Sequence, residues 1–386
     1  MKKVIIIFII FTAILISPVI SIATEEQNLD TVISSQKESV NISKFIKESQ
    51  KYTENVFKDT DLEDLLNDAI TGNIDNSKFV KNILEVVGKE TLSSVKTIAS
   101  IMVVIIIHGI LKSITDNLEN KSVGQIAYYV QYILIVTLIM TNFAEIITMV
   151  KDSANSLVSY SNLLIPILIT LVLTTGNIVS ANILQPVILF IITFIGNFIF
   201  NIVIPLILAS TILSIVSKIS ERVQLEKLAK FLKSGTVWVL CIILTIFVSL
   251  VSVEGSLSSS VDGITAKTAK AAASSFIPVV GKILGDAIDS VIGCASILKN
   301  AVGIIGIVVI LGICITPIIK LTLLMATYYI GAAVCEPIAD KKIVALLEQM
   351  GDTFKILLAI LCSLAVMLII GTTLVMKISN SSLMYR

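Results

Sequence analysis

The sequence predicts an all-α, polytopic membrane protein with a signal peptide and a small exported N-terminal helical region. Three observations carry that prediction. Hydrophobic residues make up 55% of the 386 positions and charged residues only 15%, whereas soluble domains are roughly 25% charged. Apolar stretches long enough to cross a bilayer recur along the chain. The first 23 residues have the order of a secretory signal: a basic start, an apolar run, then small residues. Mean hydropathy is +0.95 and net charge +1, so bulk electrostatics draws the chain to no nucleic acid.

Residues 1–23 form the signal. Lys2 and Lys3 precede an apolar run from Val4 to Ile16, Pro18 breaks it, and Ser21-Ile22-Ala23 supplies small residues for cleavage after Ala23. An uncleaved anchor over Val4–Ile22 is the alternative, and either form delivers the following segment outside the cytosol. That segment, 24–95, carries eight lysines against fourteen acids, a balance suited to the outer face. Thr60 and Glu63 have capping-box spacing ahead of Leu62, Leu65, Leu66, Ala69 and Ile70, which share one helical face. A second helix is expected over 77–87, ending at Gly88. Two such faces bury little, so the region is expected to pack on the membrane part or a partner, or else to be a mobile spacer.

Residues 96–253 hold transmembrane helices, with spans expected at 97–113, 125–149, 157–175, 183–217 and 236–253. The fourth is too long for one crossing, about 50 Å at 1.5 Å per residue against a hydrocarbon core of about 30 Å. Asn197, Asn201 and Pro205 interrupt it, so two shorter helices are expected to meet near 201–205. The loop 218–233 carries Lys218, Arg222, Lys227, Lys230 and Lys233 against Glu221 and Glu226. Positive loops stay in the cytosol, and its apolar stripe (Leu225, Leu228, Ala229, Leu232) reads as an amphipathic helix on the membrane surface. Lys227, Lys230 and Lys233 are candidates for cytosolic docking, with anchorage on anionic membrane lipid as the other reading.

Residues 254–300 are rich in Gly, Ser and Ala and read as interfacial or re-entrant helices outside. Gly281 and Gly285 have the spacing that lets helices approach closely, and Asp286 and Asp289 follow them. C-terminal transmembrane helices occupy 301–386, with spans at 301–319 and 356–376 and a break at Pro317 and Lys320. Glu145 and Lys320 are the ionisable groups nearest membrane depth, and such groups are functional candidates by default. Asn197 and Asn201 read more simply as helix-packing amides.

Enzyme chemistry lacks its parts. The one histidine, His108, lies inside the first span, so no His-based triad or HExxH metal site can form. Gly281-Lys282 continues with Ile283 and is no P-loop. The five cysteines form no CxxC pair and read as small buried hydrophobes. No catalytic residue, metal or cofactor is expected.

Two segments resemble a known family. One is QPVILFIITFIGNFIFNIVIPLILASTILSIVS (Gln185–Ser217) with LAKFLK (Leu228–Lys233). The other is VSVEG (Val251–Gly255), DGITAKTAKAAASSFIPVVGKILGDAIDSV (Asp262–Val291) and LKNAVGIIG (Leu298–Gly306). Both are similar to the stage III sporulation protein AE family of endospore-forming bacteria. The likeness is looser after Pro317, where EPIAD (Glu336–Asp340) replaces a Pro-Gly-rich stretch. The resemblance implies a multi-pass protein of the mother-cell-derived outer forespore membrane, with its N-terminal region in the intermembrane space. It implies a non-catalytic subunit of a channel or secretion-like complex needed for sporulation. The implied partners are other stage III sporulation A-operon proteins, including a separate ATPase, and the forespore protein SpoIIQ. A self-sufficient secondary transporter is the alternative function.

Overall fold

The computed structural model describes residues 33, 35–38, 40–53, 61–71, 76–115, 121–219, 225–250 and 280–384. The signal peptide, Thr60, Gly72 and residues 254–279 lie outside the described residues. Among those described the chain is helical and contains no strand.

Two short helices open the fold, α1 (Ile42–Thr53) and α2 (Leu62–Thr71). The Asp61 carboxylate accepts the Glu63 amide at 2.9 Å and so caps α2. Ile42, Phe45, Ile46, Leu62 and Leu66 are buried, and α1 and α2 pack on the long membrane helices. Each such side chain removed from water contributes about 1.5–3 kcal/mol, which gives this small region the support its own length cannot.

Helix α3 (Asn76–Thr115) is one 40-residue helix. The expected stop at Gly88 does not occur, because a glycine inside a helix costs only about 1 kcal/mol and many bonded neighbours outweigh it. Helix α4 (Lys121–Thr174) likewise joins the spans expected at 125–149 and 157–175 into 54 continuous residues, about 80 Å long. The polar stretch 151–156 between those two spans contains no Gly or Pro, so nothing stops the helix. Gly176 ends α4 at φ +84°, the left-handed position that a glycine tolerates. Its amide bonds Leu173 O at 3.0 Å, and buried Asn177 donates to Thr175 Oγ1 at 2.8 Å.

Helix α5 (Ile178–Phe198), a π-helical turn (Ile199–Val203) and α6 (Ile204–Ile219) then run on without a break. The two shorter helices expected over 183–217 are instead one continuous helical segment, a single apolar stretch over Ile178–Lys218. The irregularity falls near the expected 201–205, but as a π turn that leaves the backbone right-handed helical at both ends. Pro205 falls in the first turn of α6, where its missing amide is accommodated by the wider π geometry. Helix α7 spans Glu226–Leu250. The amphipathic stripe of 225–233 is the opening of this membrane helix and not a separate surface element. Helices α8 (Val280–Cys335) and α9 (Lys341–Met384) form a hairpin with the most extensive packing among the described residues. Gly281, Gly285, Asp286 and Asp289 belong to the first turns of α8, and Pro317 lies inside it.

Among the described residues, six helical segments are long and apolar enough to cross a membrane: Leu84–Ile107, Tyr132–Thr174, Ile178–Lys218, Glu226–Leu250, Ser290–Cys335 and Lys341–Lys377.

Candidate functional site

Polar side chains of three long helices meet against a fourth within the bundle. Glu145 and Asn142 of α4, Ser93, Ser94 and Thr97 of α3, Lys320 and Tyr328 of α8 and Phe354 of α9 line a cavity of about 60 Å³. That is room for a water or two. Tyr328 is fully buried, and its hydroxyl has no hydrogen-bond partner in the protein. The neighbouring Tyr329 hydroxyl donates to Asp352 Oδ1 at 2.7 Å. Lys233 Nζ donates to Gln349 O at 3.3 Å, and Ser210 Oγ donates to Ala229 O at 3.0 Å. Together these bonds tie α6 and α7 to α8 and α9. Thr211 and Thr353 hydroxyls lie 3.5 Å apart, both buried.

The structure thus brings together Glu145 and Lys320, which are 175 positions apart in the sequence. It treats the other candidates differently. Asn197, Asn201 and Pro205 are exposed on α5, the π turn and α6, so the two amides do not pack between helices within this chain. Lys227 and Lys230 are exposed, and Lys230 pairs with Glu226 at 2.8 Å. Lys233 instead turns inward to Gln349. Gly281, Gly285, Asp286 and Asp289 take helical backbone at the start of α8.

Glu145 also belongs to an exposed polar run. Thr141, Glu145, Thr148, Asp152, Asn155, Ser159 and Asn162 are all exposed along one side of α4, separated by three or four residues as one helical face requires. The same side is apolar nearer the N-terminus, where Ile126, Tyr129, Val130, Ile133 and Leu134 are exposed. Thr141 and Thr148 return their hydroxyls to Thr137 O and Ala144 O, which makes threonine tolerable in lipid. Glu145, Asp152 and Asn155 have no such local remedy for their charge or amide.

Two residues were missed, Tyr328 of the cavity and Lys299. Lys299 of α8 is fully buried and donates to Met376 O of α9. The signal was present: a lone lysine inside LKNAVGIIG, a segment otherwise apolar and small. The surroundings of Gly281 and Gly285, where close helix contact was expected, lie outside the described residues; three other glycines make such contacts. A Cβ at Gly196 would come within 2.7 Å of Val158, at Gly306 within 2.6 Å of Leu164, and at Gly109 within 2.8 Å of Ile338. Among the described residues no cluster of His, Cys, Asp and Glu could hold a metal ion.

Comparison with known proteins places this architecture. A family model described as stage III sporulation protein AE matches residues 60–379. The stage III sporulation protein AE of Bacillus subtilis (strain 168) is 31% identical over 309 residues, covering 80% of this chain and 77% of that protein. No solved structure matches. With most of its length matched by both, this multi-helix membrane chain belongs to the stage III sporulation protein AE family.

Proposed function

We propose that the chain is a non-catalytic membrane subunit of a mother-cell-to-forespore channel or secretion-like complex required for sporulation. The observation that carries this reading is membership of the sporulation family by a chain whose described residues include six long apolar helices. The partners follow from the family resemblance: other stage III sporulation A-operon proteins with a separate ATPase on the cytosolic side, and SpoIIQ across the intermembrane space. The site of action is the outer forespore membrane.

An outside N-terminus fits the acidic 24–95 region. If each apolar segment crosses once, the first three bring 219–225 to the cytosol, where its basic neighbours belong. This count has two crossings fewer than the sequence-based one: two expected spans are fused in α4, and α5 continues into α6. Removing two leaves the side of the basic loop unchanged. The same count puts the α8–α9 turn, 336–340, in the cytosol.

The π turn at Ile199–Val203 favours a second reading, because irregular helices at depth serve substrate binding in secondary transporters. Affinity recovery of the tagged protein from sporulating cells separates the two. Recovery of the companion subunits supports the complex. Solute uptake by the purified chain alone in proteoliposomes, with no companions recovered, overturns it in favour of the transporter.

A further inference from the structure

We infer that the polar side of the α4–α5 hairpin, made by Glu145, Thr148, Asp152, Asn155, Asn197 and Asn201, faces a water-filled path through the membrane region and admits cations in preference to anions. This rests on the chain being a membrane subunit, as proposed above.

Helix geometry places the six residues on one side. Gly196 of α5 touches Val158 of α4, which fixes the contact line between the two helices. At about 100° per residue, all six point about 60–140° from that line, in the same rotational sense along each helix. The helices are antiparallel across the turn at 175–177, so equal rotation carries both sets to the same side of the hairpin. Counting from the Gly196–Val158 contact puts Asn197 close to the level of Asn155, and Asn201 close to that of Asp152. All six are exposed.

A hydrocarbon environment does not suit this side. Carboxylates and amides within apolar helices face water, protein or each other, because lipid cannot solvate them. A second observation points to water at the same height. Glu145 lines both an open depression on α4, with Thr148 and Asp152, and the inner cavity that holds Lys320. Buried Tyr328, whose hydroxyl lacks a protein partner, lines that cavity too. Glu145 therefore stands between the exterior polar face and an interior polar pocket with room for water. Both ionisable groups among the six are carboxylates, and acidic linings favour cations.

The test uses the full-length protein in native membranes, with single cysteines at Thr148, Asn155 or Asn197 and the native cysteines replaced. A variant retaining only Cys241 is the control, because Cys241 is exposed beside Trp238 and Ile242 on the apolar side of α7. A trimethylammonium methanethiosulfonate is expected to modify the three introduced cysteines at least ten-fold faster than Cys241. It is also expected to outpace its sulfonate analogue severalfold. Rates no faster than Cys241 overturn the aqueous path, as does reactivity that appears only after detergent extraction. Equal rates for the cationic and anionic reagents overturn the cation preference. Companion recovery and spore counts on the same strains keep the two ideas apart. If both persist while the cysteines stay unreactive, the path fails and the membrane-subunit reading stands.

Discussion

Three glycine-to-alanine substitutions test whether the close approach of α4 and α8 is real. A Cβ on Gly306 would lie 2.6 and 2.9 Å from the two methyls of Leu164 and 3.3 Å from its Cγ. Leu164 is fully buried, so it has little room to move. Overpacking of this kind costs about 1–3 kcal/mol, and replacing a helical glycine by alanine returns about 1 kcal/mol. Gly306→Ala is therefore expected to destabilise by about 0–2 kcal/mol. Gly303→Ala would press on Met376, a flexible side chain that adapts, and comes out close to neutral. Gly88 has nothing within 4 Å of its Cβ position, so Gly88→Ala stabilises by about 1 kcal/mol. Apparent melting temperature of the detergent-purified protein, followed by size-exclusion chromatography after heating, gives the order: Gly88→Ala highest, Gly303→Ala near wild type, Gly306→Ala lowest. The double variant Gly306→Ala with Leu164→Ala decides the cause. Leu164→Ala alone leaves a cavity worth about 2–5 kcal/mol, but it also removes the group with which the methyl added at position 306 collides. The pair is thus expected to be less destabilised than the sum by about 1 kcal/mol or more. Additive effects, or Gly306→Ala as stable as Gly88→Ala, would refute the packing described for these helices.

Two further predictions concern sidedness and docking. In a cysteine-free background, Lys47→Cys and Lys227→Cys, both at exposed positions, should label from opposite sides with an impermeant maleimide; labelling of 227 from outside in intact cells contradicts the topology. Charge reversal of Lys227 and Lys230 should reduce ATPase co-purification severalfold, while their change to Arg should preserve it if only positive charge at anionic lipid matters. Undiminished co-purification with the Glu pair removes the docking role. Lys233 belongs to neither test, because its ammonium holds Gln349 O.

What was legible in the sequence is whatever depends on local apolarity. The all-helical membrane class and the apolar stretches follow from hydrophobic runs, and the change of helix near Asn201 follows from polar and proline residues within one. Helix continuity was not legible. The 151–156 stretch is polar yet free of Gly and Pro, so composition separates two apolar spans while the backbone has no reason to leave the helix. The cavity was half legible. Glu145 and Lys320 stand out as ionisable groups among apolar ones, but only tertiary packing reveals that they line the same space. Tyr328 and Lys299 were hidden for different reasons. A tyrosine in an apolar run is unremarked until its hydroxyl is found without a partner, and Lys299 is one charge in a long segment recognised for its glycines.

The packing of α1 on α4 leads to a last prediction, and it bears on where lipid can lie. Tyr160 of α4 is fully buried under α1, with Phe45 stacked at 6.3 Å and Tyr52 edge-on at 5.4 Å between ring centroids. The other side of α1 exposes Lys44, Lys47 and Lys51, which belong in water or against protein and not in hydrocarbon. So α4 is shielded from lipid on that side near Tyr160, within two turns of Asn155. A continuous helix of 43 apolar-rich residues such as Tyr132–Thr174 is about 65 Å long, while the hydrocarbon core covers only about 30 Å. Part of its length must therefore be covered by protein, and α1 supplies some of that cover. Phe45→Ala removes the aromatic contact and leaves a cavity, a loss of about 3–5 kcal/mol at this contact, more than one short helix is expected to withstand. The expected result is release of α1: trypsin added outside cuts at Lys44, Lys47 or Lys51 at least ten-fold faster in the variant, while the membrane helices stay protected. Phe45→Leu, which keeps most of the buried volume, should restore much of the resistance. Equal cleavage rates in the wild type and Phe45→Ala would mean that α1 is not held on Tyr160, and the protein cover proposed for this part of α4 would have to come from another chain.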